Sequence, residues 1–185
     1  VVGLAGLLAI DEVADVVAML RLVADPCAGT AALRVLTGPR WRLGAADIAA
    51  LWRRARDLDY RPTATAESGI AAAEAVVAGL APDADTPALA DAICDPGPAH
   101  NYSPEGCARI TALAAELTAL RAQLHHPLPD LVAQVRAVLG VDVEATATHG
   151  GPDRTGTEQL DAFAAVVDGY AARISARDID PVLGL

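Results

Sequence analysis

The chain has 185 residues and a formal net charge of -10, with 53% hydrophobic but only 3% aromatic residues. That length allows one good-sized core or two small ones, and a core of Ala, Leu and Val favours close-packed helices over a β-sandwich. The acidic balance argues against a general nucleic-acid coat, and because all 14 basic residues are arginine, a Gly-Lys-Ser/Thr phosphate loop and a Schiff-base lysine are both excluded.

Val1 to Leu4 reads as the end of a buried strand, so residues 1–10 are expected to be a lead-in strand. This apolar start is too short to span a bilayer. It has neither a basic leader nor an initiating Met, so the chain is expected to be an internal piece of a larger protein. Residues 11–185 are expected to form a compact all-α unit. Asp11 is expected to cap a helix carrying Val13, Val16, Val17, Leu20 and Val23 and stopped by Pro26. A short helix follows, over about 30–36. A glycine-bounded turn, Gly38-Pro39-Arg40-Trp41-Arg42-Leu43-Gly44, leads into a helix with Ile48, Leu51, Trp52 and Ala55 on one face. Arg53, Arg54 and Arg56 fall largely on the other.

Residues 59–68 read as a polar connection. Ser68 is expected to cap an alanine-rich helix through Leu80, and Thr86-Pro87 to start another. Asp95-Pro96-Gly97-Pro98 is the clearest break, and residues 95–102 are expected to be flexible. Ser103-Pro104-Glu105 opens the longest helix. Its seam of Ile110, Leu113, Leu117, Leu120 and Leu124 calls for a partner helix, and Pro127 and Pro129 are expected to end it. Leu131, Val132, Val135, Val138 and Leu139 mark the next helix, ended by Gly140. Residues 141–156 read as irregular. Thr157 is expected to cap a last helix with Leu160, Phe163, Val167, Tyr170 and Ile174.

The candidate site is the basic turn. From Arg34 to Arg61 there are seven arginines against three aspartates, a local excess of four positive charges that leaves -14 on the remainder. A turn between two helices has the layout of a helix-hairpin-helix, which grips a sugar-phosphate backbone through N–H groups at the start of its second helix, without reading bases. The plainer reading is an ordinary turn with solvated arginines. Trp41 is the better candidate to stack on a base or sugar, and Tyr102 is expected to cover the core. No metal site is expected. His125-His126 suits a helix C-terminus, and Cys94, His100 and Cys107 lack a fourth ligand. The three cysteines, Cys27 included, lack a Cys-x-x-Cys spacing and are expected to be buried free thiols in a reducing cytoplasm. No acid–base pair of carboxylates stands out.

Val1-Val2-Gly3-x-x-Gly6-Leu7-Leu8, followed by Glu12-Val13-x-Asp15-x-x-Ala18-x-Leu20-Arg21-Leu22-Val23-Ala24-Asp25-Pro26, resembles a segment of the UvrD/PcrA/Rep-type superfamily 1 DNA helicases. There a motor strand leads into a helix ending in Leu-Arg-Leu-Ile-x-Asn-Pro. Pro39-Arg40-Trp41-Arg42-Leu43-Gly44 falls where that family has a Pro-x-Arg-Gly-Ile-Gly turn. The likeness covers Val1 to about Leu58; the later helices agree only in kind with the family's inserted helical 2B subdomain. The form of the turn is most similar to the actinobacterial, AdnAB-type branch. The resemblance implies a parent enzyme that unwinds DNA with ATP and Mg²⁺, and in this chain a duplex-facing accessory subdomain of it. Its partners would be double-stranded or forked DNA, the remaining helicase domains and, in that branch, a second helicase-nuclease subunit; no membrane partner is implied. Gly38, Arg40, Trp41, Arg42 and Gly44 would touch the DNA backbone, with Arg53, Arg54 and Arg56 in support. Arg42 replaces the first glycine of Gly-Ile-Gly, so a looser turn is expected. The family's ATPase motifs are missing, so this chain is expected to need no cofactor and to hydrolyse no ATP by itself. A helical protein-interaction module is the alternative function, resting on the acidic remainder and the leucine seam.

Overall fold

The computed structural model describes residues 4–59, 88–151 and 154–183. Among the described residues the protein is helical and has no strand, its one β-type pairing being an isolated bridge between Gly151 and Arg154. No helix among them is long and apolar enough to cross a membrane. The expected connection and helices between 60 and 87, Thr86-Pro87 included, lie outside the described residues.

The lead-in strand is corrected at its second half, while Val1 to Gly3 lie outside the described residues. Leu4–Leu7 forms one helical turn, α1. Turn hydrogen bonds from Ala9 N to Gly6 O (3.3 Å) and Ile10 N to Leu7 O (3.1 Å) follow it. Backbone groups here are satisfied locally, while Leu7 enters the core. Helix α2 (Asp11–Ala24) is capped by Ile10, not Asp11. Asp11 and Glu12 instead sit in its first turn, where a negative charge meets the positive end of the helix dipole. Val13, Val16, Met19, Leu22 and Val23 are buried; Val17 and Leu20 only flank the core.

Helix α3 (Gly29–Thr37) packs back on α2 through Ala31, Ala32, Val35 and Leu36. Arg34 fastens the pair, bonding Asp15 at 2.5 Å and Asp11 at 3.1 Å. Helix α4 spans Ala45–Asp59. The short helix α5 (Leu89–Cys94) is driven by burial, since Leu89, Ala90, Ala92 and Ile93 are fully enclosed. The break after it carries hydrogen bonds of its own. A 3-10 turn forms over Ala99–Asn101, the Tyr102 hydroxyl donates to Pro96 O at 2.8 Å, and Arg54 binds Asp95.

Helix α6 (Pro104–Arg121) starts as expected, with Ser103 Oγ accepting from Gly106 N at 3.0 Å and proline in the first turn. Its seam of Ile110, Leu113, Leu117 and Leu120 is buried within this chain against α5, α2 and helix α7 (Leu128–Leu139). The helix stops before Leu124, which is 48% exposed. Pro129 lies in the first turn of α7 rather than ending α6, a position where its missing N–H costs nothing. Gly140, at φ 69°, ends α7 in the left-handed conformation.

Residues 141–149 are not irregular. Val141–His149 form helix α8, seated by only two buried residues, Val141 and Ala145. They are four apart on one face, too sparse a pattern to stand out in the sequence. Helix α9 (Glu158–Leu183) follows Thr157, whose hydroxyl donates to Asp161 at 3.0 Å. Leu160, Phe163 and Val167 are buried, while Tyr170 and Ile174 are exposed. Arg136 of α7 joins three helices, reaching Asp142 of α8 and Asp161 of α9.

Candidate nucleic-acid interface

The basic turn is built by the end of α3. Gly38 N closes that helix on Arg34 O at 2.9 Å. A Cβ on Gly38 would sit 3.0 Å from Arg34 O, so the close approach favours glycine. Trp41 N and Arg42 N both donate to Gly38 O, at 3.2 and 3.0 Å, and Leu43 N reaches back to Leu36 O at 2.8 Å. Side chains then alternate: Trp41 and Leu43 are buried, Arg40 and Arg42 exposed.

Arg42 does not loosen the turn. It adopts φ 45°, the left-handed region that glycine favours, at a cost of roughly 1–2 kcal/mol for a side-chain-bearing residue. Burial of its two neighbours offsets that strain. So does a clamp between helices, since Arg109 Nη1 of α6 donates to the Arg42 carbonyl at 2.8 Å. Nothing in the sequence flags Arg109, which lies 67 residues away. Gly44 is exposed and has room for a Cβ, and its carbonyl accepts the first bond of α4 from Ile48 N at 3.0 Å.

Trp41 is corrected from stacking platform to core residue. It is 4% exposed and cannot present a ring face to a base. Its Nε1 is buried with no hydrogen-bond partner. Arg40 Cζ lies 5.2 Å from the ring centroid, a cation–π contact that leaves the guanidinium at the surface. Tyr102 is buried as expected, and burial pushes its phenol above the ordinary value.

The three arginines of α4 separate. Arg53 and Arg56 are exposed. Arg54 is corrected from DNA contact to structural tie, giving Nε to Asp95 O at 3.0 Å and Nη2 to the Asp95 carboxylate at 2.6 Å. A groove of about 280 Å³ runs here, lined by Ala50, Arg53, Arg54, Arg56, Asp57, Pro98 and Asn101. Arg34 is committed to Asp11 and Asp15. Among the described residues no ion pair holds Arg40, Arg42, Arg53 or Arg56.

Beneath the turn lies a latch. Asp47, in the first turn of α4, is 7% exposed. Its carboxylate accepts from Ser103 N and Ser103 Oγ, both at 2.8 Å. It therefore bridges the N-terminal ends of α4 and α6, and both dipoles favour the negative charge. Gly106 makes room for it, since a Cβ there would meet Asp47 Oδ2 at 2.2 Å. Among the described residues no three His, Cys, Asp or Glu side chains gather as metal ligands, and the expected burial of the free thiols is corrected, since Cys27 and Cys94 are exposed and Cys107 is half-buried.

The fold and site define a helical protein with an exposed cationic turn anchored on a buried carboxylate latch. No protein-family model matches the chain, and no curated protein matches it.

Proposed function

We propose that the chain is a DNA-binding accessory unit of an ATP-dependent DNA helicase, gripping the duplex backbone near the fork while ATP and Mg²⁺ act in the remaining helicase domains. The observation that carries this reading is the turn itself: two unpaired arginines, Arg40 and Arg42, project from a strained, clamped loop at the head of α4 in an otherwise acidic chain. The resemblance of Val1 to Leu58 to the UvrD-type helicases supports it. The revised contact set is Arg40, Arg42, Arg53 and Arg56 with the Gly44 end of the turn; Trp41 and Arg54 serve the fold.

Fluorescence anisotropy on a forked duplex at several salt concentrations tests the reading. Each phosphate contact contributes about 0.9 to the slope of log affinity against log salt. R40A/R42A should weaken binding equally across sequences and flatten that slope. Unchanged affinity and slope, with the helical circular dichroism intact, would overturn it.

A protein-interaction module is the second reading. The leucine seam no longer supports it, being covered within the chain. A different surface does: Val166, Tyr170 and Ile174 stay exposed on α9 at spacings of four, on a face beside the buried Phe163 and Val167.

A further inference from the structure

We propose that α4 bridges the major groove of a B-form duplex, with Arg42 on the backbone of one strand and Arg53 and Arg56 on the backbone of the other. The inference rests on the DNA-binding reading and specifies how the duplex is met, with the contacts divided between its two strands.

Helical geometry places the charges. Ala45, Ala49, Arg53 and Arg56 follow one another at steps of four, four and three, which puts them on one face of a helix. All are exposed, as is Ala46 beside them. Leu51 and Ala55 are buried on the opposite side. The outer face of α4 is therefore smooth at its start and cationic toward its end. At about 1.5 Å of rise per residue, Arg53 and Arg56 stand about 12 and 17 Å beyond Ala45, and Arg42 lies in the turn, with Leu43 and Gly44 between it and the helix. The major groove is about 12 Å wide and the minor groove about 6 Å. Two cationic points at this separation bracket the major groove and overshoot the minor one. Asp57 borders the Arg53–Arg56 end and lowers its net charge, while Arg54 is held by Asp95. The second grip is thus two guanidiniums wide.

A duplex with one strand made of neutral methylphosphonate linkages is the test, compared with the all-phosphate duplex and with the free single strand. On the full duplex, R53A/R56A should lower the salt slope by about 1.8 and R42A by about 0.9. The triple variant should show both losses. With one strand neutral, only one end of α4 meets phosphates at a time, so the wild-type slope should fall. The free strand should bind at least tenfold more weakly than the duplex at the same salt.

A wild-type slope that is unchanged on the half-neutral duplex would mean that every contact runs along a single strand, and would overturn the bridging geometry. R53A/R56A behaving as wild type, with R40A/R42A still weakened, would overturn it too while leaving the DNA-binding reading in place. A wild-type chain that binds none of these DNAs would sink both.

Discussion

Replacing Asp47 by Ala should destabilise the protein by about 2–4 kcal/mol. The carboxylate is 7% exposed and accepts two hydrogen bonds from Ser103. A hydrogen bond to a charged group contributes about 1.5–3 kcal/mol. Deleting the acceptor strands the Ser103 N–H, but it also relieves the cost of burying a charge, so the net loss falls below the sum. For a chain of this size, 1 kcal/mol corresponds to about 2–4 °C in the melting midpoint, which puts D47A about 4–16 °C below wild type. S103A should cost about 1–2 kcal/mol through loss of the α6 cap. Because Ser103 Oγ accepts from Gly106 N, its own proton is free to go to Asp47. The two residues are therefore coupled, and a D47A/S103A cycle should return an interaction of about 1–3 kcal/mol. Gly106→Ala breaks the same latch from the other side by driving a Cβ into the carboxylate. Urea unfolding and calorimetry measure all four variants. A D47A loss below about 1 kcal/mol, or strictly additive effects in the cycle, would refute the latch.

Arg42→Gly should stabilise the fold by about 1 kcal/mol, because glycine takes φ 45° without strain, while Arg42→Ala keeps the strain; urea midpoints for the pair decide it, and a destabilised R42G would contradict the strained turn. Trp41→Ala should cost about 3–5 kcal/mol by emptying a core position, with Trp41→Phe milder; a W41A variant of native stability that only lost DNA affinity would restore the stacking role. The Asp161 carboxyl is held below its ordinary value, chiefly by the hydrogen bond from Arg136. Its contribution is therefore fully present above the unfolded carboxylate range, near about pH 4, and is lost as pH falls through the lower folded value. The stability gap between wild type and D161N should accordingly be constant from pH 7 to 5 and shrink below pH 4. A gap that widened toward acid would reverse the assignment.

Helices α2, α3, α6 and α7 were legible because their apolar residues recur at three and four over two or more turns and proline or glycine marks their ends. Ser103 was legible as a cap, since serine followed by proline has few other uses at a helix start. The departures from the sequence pattern have local causes. Val141 and Ala145 give α8 only two anchors. Leu124 continues the heptad spacing of α6 after the backbone has already turned, so periodicity overran the helix. Trp41 and Arg54 carry the residue types of a nucleic-acid site, yet one is drawn into the core and the other to a carboxylate 41 residues away. Arg109 and the burial of Asp47 depend on how α6 docks against α4, which no local pattern encodes.

The turn's chemistry follows from where its strain is held. Glycine at position 42 would relax the backbone, but it would remove an exposed guanidinium. Arginine keeps the charge, and the left-handed backbone persists because its surroundings fix it on every side. Trp41 and Leu43 are sunk into the core on either side of Arg42. Leu43 N is bonded back to α3, and the Arg42 carbonyl is held by α6. The Asp47 latch sets the start of α4 relative to that same helix. A side chain presented this way loses less freedom on meeting a phosphate than one on a loose loop, so more of the contact energy survives as affinity. The same design explains why stability and binding should part company at this position: R42G gains the first and loses the second, whereas D47A, which leaves every exposed arginine in place, should weaken both by letting the head of α4 shift.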